Sequence, residues 1–343
     1  RRRTDDPAAP ATAGSGAEAA GSGAPEVSEA GTAAAEPEAP EPPVDADPMT
    51  GLPAGPPPKG AEALPGVLAC GPWRLGHVEA SVAEVDRSYP AGVAALAEAH
   101  WPFAVQEMPG LKDGPVFCVS ACEAATAHGD GQRTLKLQLQ RSSRRLLAYT
   151  ELSEEGLLLP RESRCGACGL TSLVETADGL LVFLRGRPQP GVEGLPWQPA
   201  ITGHTVDSPD LLDVLRSALA ADHQLIGDIG TALGSARLLA LLELEEGAMP
   251  KTGHRHELLY GIRLTTKAAE VEAACAASNT AEATVGNAVT FVRPPGVEVQ
   301  TPADATAPAC VDFDKFVSAD GAYSLAHVAR MALLLLRELR TGA

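Results

Sequence analysis

The segments 171-TSLVET-176 and 180-LLVFLRG-186 flank Ala177-Asp178-Gly179. Two apolar runs around an Asp-Gly turn signal a β-hairpin. Any fold of this chain must accommodate that antiparallel pair. A second pair is expected from 115-PVFCVSACEAAT-126 and 133-RTLKLQLQRS-142, which alternate with period two around 128-HGDGQ-132. Further strands are expected at 67–79, 237–245, 257–264 and 287–293. Helices are expected over 80–101, with Val93, Leu96 and Ala97 on one face, and over 265–277 and 323–340. Residues 145–152 leave helix and strand both open. After a Pro/Gly-rich loop at 187–199, Asp207 or Ser208 can cap a helix with Pro209 in its first turn. Leu211, Leu212, Leu215 and Leu219 form its apolar stripe. Strands and helices mix without regular βαβ alternation, which predicts an α+β or α/β sandwich.

Residues 1–66 differ from the rest. They are Ala, Pro, Gly and Glu, with four basic against eleven acidic residues, a net −7 of the chain's −17. Such a segment buries too little apolar surface to offset its ordering entropy, so a disordered acidic tail is expected. It has no apolar h-region of a secretory signal and is too acidic for a transit peptide. The chain does not begin with Met, which leaves a fragment or a processed product open. The rest is long enough for a sizeable core. We expect an N-terminal α/β extension at 67–160 and a main domain at 161–340. No run of eighteen apolar residues is present, so no membrane span is expected. The acidic balance argues against nucleic acid as a partner.

Seven scattered cysteines point to a reducing, intracellular compartment, and with the acid-rich tail unlike a transit peptide the cytoplasm is expected rather than an organelle. The pair in 165-CGAC-168 could join Cys118 and Cys122 in a four-thiolate zinc site. The alternative is four small residues packed in a sheet.

A loop followed by a helix with carboxylates at i, i+3 and i+4 can hold Mg²⁺ through oxygen ligands, which then neutralises a diphosphate and activates water. That is the logic of the Nudix box, G-x5-E-x7-R-E-U-x-E-E-x-G-U. Residues 70–338 resemble one branch of the Nudix hydrolase superfamily, the UDP-glucose diphosphatase type. The most specific stretch is 166-GACGLTSLVETADGLLVFLRGR-187. 116-VFCVSACEAATAHGDGQRTLKLQLQRSSRRLLAYTELS-153, 201-ITGHTVDS-208 and 257-ELLYGIRLTTKAAEVE-272 follow in order. The resemblance implies a Nudix-type α/β/α sandwich with a mixed sheet behind the small extension. It also implies Mg-dependent hydrolysis of UDP-glucose or UDP-galactose to UMP and sugar 1-phosphate.

The box itself departs from the pattern. With Gly203 as its first glycine, the first Glu falls on Pro209, the Arg on Ser217, and the helical acids on Ala218, Ala221 and Asp222. Sliding by one puts Arg216 on the Arg and Ser217, Ala220 and Ala221 on the acids. The first register keeps one carboxylate, so Asp222 is the candidate catalytic and metal residue. Glu246 and Glu257 could supply further Mg²⁺ ligands, and His254 with His256 could form a metal pair on one strand face. Gly203, His204, Arg185 and Arg187 are candidate substrate contacts, the arginines through charge-assisted bonds to phosphate. Two readings follow: a weak or inactive diphosphatase, or a non-catalytic module that binds a nucleotide sugar or a protein partner.

Overall fold

The computed structural model describes residues 48–126, 133–185, 196–221, 223–244, 254–278, 288–295, 309–318 and 325–341. It opens with a short helix α1 (Lys59–Glu62), then β1 (Val67–Arg74), β2 (Val78–Val82) and α2 (Val93–Glu107). The helix expected from residue 80 therefore starts late. Gly92, at φ +92°, precedes it, and Pro90 bars helix through residue 89. Val93 and Ala97 are buried, whereas Leu96 is 51% exposed.

The hairpin β3 (Pro115–Thr126) and β4 (Arg133–Ser143) follows as expected, with β2 added parallel to β4. The expected turn at 128–132 lies outside the described residues. The ambiguous segment is helical: α3 (Arg144–Leu152) begins where Ser143 accepts a hydrogen bond from the Leu146 amide. A short α4 (Glu154–Leu157) leads to β5 (Ala167–Glu175) and β6 (Leu181–Arg185). Then come β7 (Gln198–Pro199), β8 (Ile201–Thr205), α5 (Leu211–Ala221), α6 (His223–Ile226) and α7 (Ile229–Ser235). The chain continues through β9 (Arg237–Glu243), β10 (His254–Arg263), α8 (Ala268–Ser278), β11 (Ala288–Arg293), β12 (Cys310–Asp312), α9 (Phe313–Val317) and α10 (His327–Thr341).

Nine strands make a mixed sheet in the order β1-β9-β10-β5-β6-β11-β12, with β7 on β6 and β8 on β5. β10 and β5 are parallel, and most other pairs are antiparallel. Both strands are buried on both faces, which is why they read as nearly continuous apolar runs. Alternation then decides which layer each side chain meets. Leu258, Tyr260 and Ile262 share a core with α5, α7, α8 and the three-stranded sheet. Leu259, Leu173 and Phe183 share the opposite core with α9 and α10. The fold is thus α+β, with helices on both faces of a mixed sheet.

Two boundaries differ from expectation. Composition assigns residues 48–66 to the tail, yet Met49 and Ala61 are buried in the α10-side core. Thr50 also donates its hydroxyl and its amide to Glu175 of β5. Met49, Ala61, the partly buried Leu52 and Leu64 and two hydrogen bonds fix a segment whose composition alone looks unfoldable. Residues 1–47 lie outside the described residues. β1 pairs with β9 of the large sheet, and Phe117 and Leu137 share a core with α5. The expected parts at 67–160 and 161–340 therefore share one core, and all described residues belong to one compact unit. No helix among the described residues is long and apolar enough to cross a membrane.

Candidate functional site

The expected site surrounds β8, α5 and β10. β8 pairs with β5, but the register slips between Leu170 and Ser172, which face His204 and Ile201. Gly203 sits at that bulge with φ +79°, a conformation glycine adopts without strain. His204 is half-buried on the same strand. Below it, the cap of α5 is Asp210 rather than Asp207 or Ser208: its carboxylate accepts the amides of Leu212 and Asp213. Ser208 instead accepts the Asp210 amide, and Asp207 pairs with Arg144 at 3.6 Å.

The faces of α5 decide between the two registers of the box. Leu211, Val214, Leu215, Ala218 and Leu219 are buried. Ala218, the first helical acid position of the Gly203 register, has no exposure at all. A carboxylate there would enter the core rather than reach a metal. Asp213, Ser217, Ala220 and Ala221 face solvent. The slid register, with Arg216 on the Arg and Ser217, Ala220 and Ala221 on the acids, therefore fits the helix better and contains no carboxylate. Asp213 is the one acid on this helix, and it binds Arg216 at 2.6 Å. Asp222, Glu246 and Arg187 lie outside the described residues.

Glu257 faces away from α5. Its register on β5 is unbroken from Gly169 to Glu175, so it shares the face of Leu259, opposite Tyr260. It is 1% exposed. His254 Nδ1 lies 3.0 Å from its Oε1, and the Thr171 hydroxyl lies 3.3 Å from its Oε2. Thr202 Oγ1 is 2.9 Å from Thr171 Oγ1, and Thr205 Oγ1 is 3.0 Å from His254 Nε2. A carboxylate only accepts hydrogen bonds. With Glu257 ionised and His254 neutral, the imidazole carries its proton on Nδ1 and its Nε2 accepts the Thr205 hydroxyl. In that state every donor in this network points toward Glu257.

His254 and His256 do not form a metal pair. A bulge separates them in the β10–β5 ladder. His254 turns to the Glu257 side, while His256 alternates to the other. Burial, reinforced by Arg255, pushes His256 down to about 4. Unfolded, the imidazole titrates near 6.5. Between these values the unfolded chain binds a proton that the native chain refuses, so stability falls as pH drops from about 6.5 to about 4 and levels off below. The loss is on the order of 3 kcal/mol. Urea melts at pH 7.5, 5.5 and 4.5 should show it in the parent chain, and His256→Gln should lack that component.

Arg185 stacks its guanidinium 5.9 Å from the centre of the Trp197 ring. The cysteines are free. Burial pushes the Cys168 thiol up, and a hydrogen bond with Cys165, then burial, pushes Cys118 up. The hydrogen bond with Cys118 shifts Cys165 the other way, down. Among the described residues, no group of three His, Cys, Asp or Glu side chains is placed to hold a metal ion. The described part of the expected Mg²⁺ set does not fit the ion: α5 offers one paired acid, and Glu257 is buried and engaged.

No protein-family model matches this chain, and no curated protein matches it.

Sequence reasoning missed Thr171, Thr202 and Thr205. Their only signal is strand position: Thr171 and Glu257 occupy adjacent parallel strands, two residues out of register.

Proposed function

We propose that this chain is a Nudix-like protein that has lost Mg-dependent diphosphatase chemistry and acts by binding a nucleotide sugar. The observation that carries this reading is the solvent face of α5, where Ser217, Ala220 and Ala221 stand at the positions that need acids. Neither a methyl group nor a neutral hydroxyl supplies the anionic oxygens that such a centre requires. The helices on both faces of a mixed sheet, and Gly203 and His204 on β8 beside α5, support the resemblance. The seven free cysteines support a reducing compartment.

Calorimetric titration of the full chain with UDP-glucose, with and without Mg²⁺, tests this, with UMP followed in the same sample. Binding without UMP is the expected result. UMP release dependent on Mg²⁺ would overturn the loss of catalysis and direct attention to Asp222 and Glu246. Neither heat nor UMP would favour a second reading, a protein-interaction module. Leu96 and Phe103, seven residues apart on α2 and 51% and 62% exposed, speak for that alternative.

A further inference from the structure

We propose that Thr205, His254 and Glu257 form a hydroxyl–imidazole–carboxylate relay that makes the Thr205 hydroxyl a nucleophile toward neutral carboxylic esters. This activity is independent of nucleotide-sugar binding. Three residues from β8 and β10 stand in the order nucleophile, base and orienting acid. The two hydrogen bonds that link them are both 3.0 Å long. That is within the reach such relays require.

Burial is graded along the relay. Glu257 is 1% exposed and His254 not at all, whereas Thr205 is half-buried. The acid and the base are dry, and the threonine is the most exposed of the three residues. Thr171 holds the second carboxylate oxygen, and Thr202 holds Thr171. These two, with Glu257, are positioning residues. Gly169 leaves the space that His254 and Glu257 fill: a Cβ there would overlap His254 Nδ1 and Glu257 Oε1. The bulge at Gly203 lies two residues before Thr205, and bulges re-aim side chains beside active sites.

The electrophile is neutral because the network is anionic at its base. Among the described residues, the side-chain hydrogen bonds of Thr171, Thr202, Thr205, His254 and Glu257 are with one another, and no lysine or arginine is a partner. A phosphate would meet the field of an ionised Glu257 with no lysine or arginine among its described hydrogen-bond partners to offset it. A carboxylic ester would not.

The chemistry balances. Thr205 Oγ1 bonds to the ester carbonyl carbon while its proton passes to His254 Nε2. The carbon–oxygen bond to the alcohol breaks, and the alcohol leaves with that proton. Water then repeats the sequence against the acyl group, releasing the carboxylic acid and restoring the Thr205 hydroxyl. Glu257 stabilises the imidazolium in both halves.

The test uses the full chain and p-nitrophenyl acetate, with p-nitrophenolate release read optically and the acetyl group located by peptide mass spectrometry. We expect acetyl on Thr205, loss of reaction in Thr205→Val, and retained reaction in Thr205→Ser. His254→Gln, which can still hydrogen-bond both neighbours, should slow the reaction about a hundred-fold. Circular dichroism melts of each variant separate lost chemistry from lost fold. Acetyl elsewhere, no reaction in the parent chain, or an unchanged rate in a folded Thr205→Val or His254→Gln variant would overturn the relay. UDP-glucose titration of Thr205→Val keeps the two functions apart: binding retained while acetylation disappears leaves both proposals standing.

Discussion

Glu175→Gln should lower the unfolding free energy by about 3–5 kcal/mol, because it leaves a buried guanidinium without its counter-charge. Glu175 ends β5 with no exposure, and Arg340 of α10, 2% exposed, binds its Oε2. Its Oε1 accepts the amide and hydroxyl of Thr50 at 3.0 and 2.6 Å. Arg263 approaches the same oxygen at 3.8 Å. One carboxylate thus fastens the last helix and the segment before β1 to the sheet. Arg340 has little in reserve, since its Nε and Nη1 are buried with no hydrogen-bond partner among the described residues. Arg340→Met should also destabilise, by leaving Glu175 to Thr50 and the distant Arg263. The double variant Glu175→Gln with Arg340→Met should recover part of the loss, because no unpaired charge remains. Urea melts of the four proteins measure this cycle. Limited proteolysis adds a local readout: cleavage between residues 50 and 66 should quicken in Glu175→Gln. Strict additivity in the melts would show that the ion pair is not what ties these segments down.

The two hairpins were legible because their signal is local, whereas β8, which carries Thr205, was not. The Asp-Gly turn placed β5 and β6, and period two placed β3 and β4. What was not legible depends on a partner distant in sequence. Met49 gives no pattern of its own, and its burial comes from Gly261 and Leu239, more than 180 residues away. On α5, periodicity identified an apolar stripe but could not choose between two registers one residue apart. The core chose, by burying Ala218. His254 and His256 read as a pair on one face because a strand was assumed regular between them, and a single bulge reverses one of them. The relay was invisible for the same reason. Thr205 and His254 are 49 residues apart, and only the sheet, by setting β5 between β8 and β10, brings them together.

Gly169→Ala tests how tightly that sheet geometry constrains the site. A methyl group there would overlap His254 Nδ1 and Glu257 Oε1, and neither side chain can swing into solvent. Overpacking of this kind costs roughly 1–3 kcal/mol. Parting a buried imidazole from a buried carboxylate adds about as much again. A total near 3–5 kcal/mol in urea melts is therefore expected. Gly261→Ala on the adjacent strand is the control. Its methyl would meet Met49 Sδ at 2.5 Å and Leu239 Cδ1 at 3.0 Å, both flexible side-chain ends. It should cost less. His254→Ala opens room for the Gly169 methyl, so the double variant should fall short of the summed single losses by about 1 kcal/mol or more. If the two losses simply add, the methyl is accommodated by the strands themselves, and Gly169 is not what holds His254 against Glu257. If they do not, the missing side chain on β5 sets the hydrogen bond that aims His254 Nε2 at Thr205. The reactivity of that hydroxyl would then depend on a residue that never touches it.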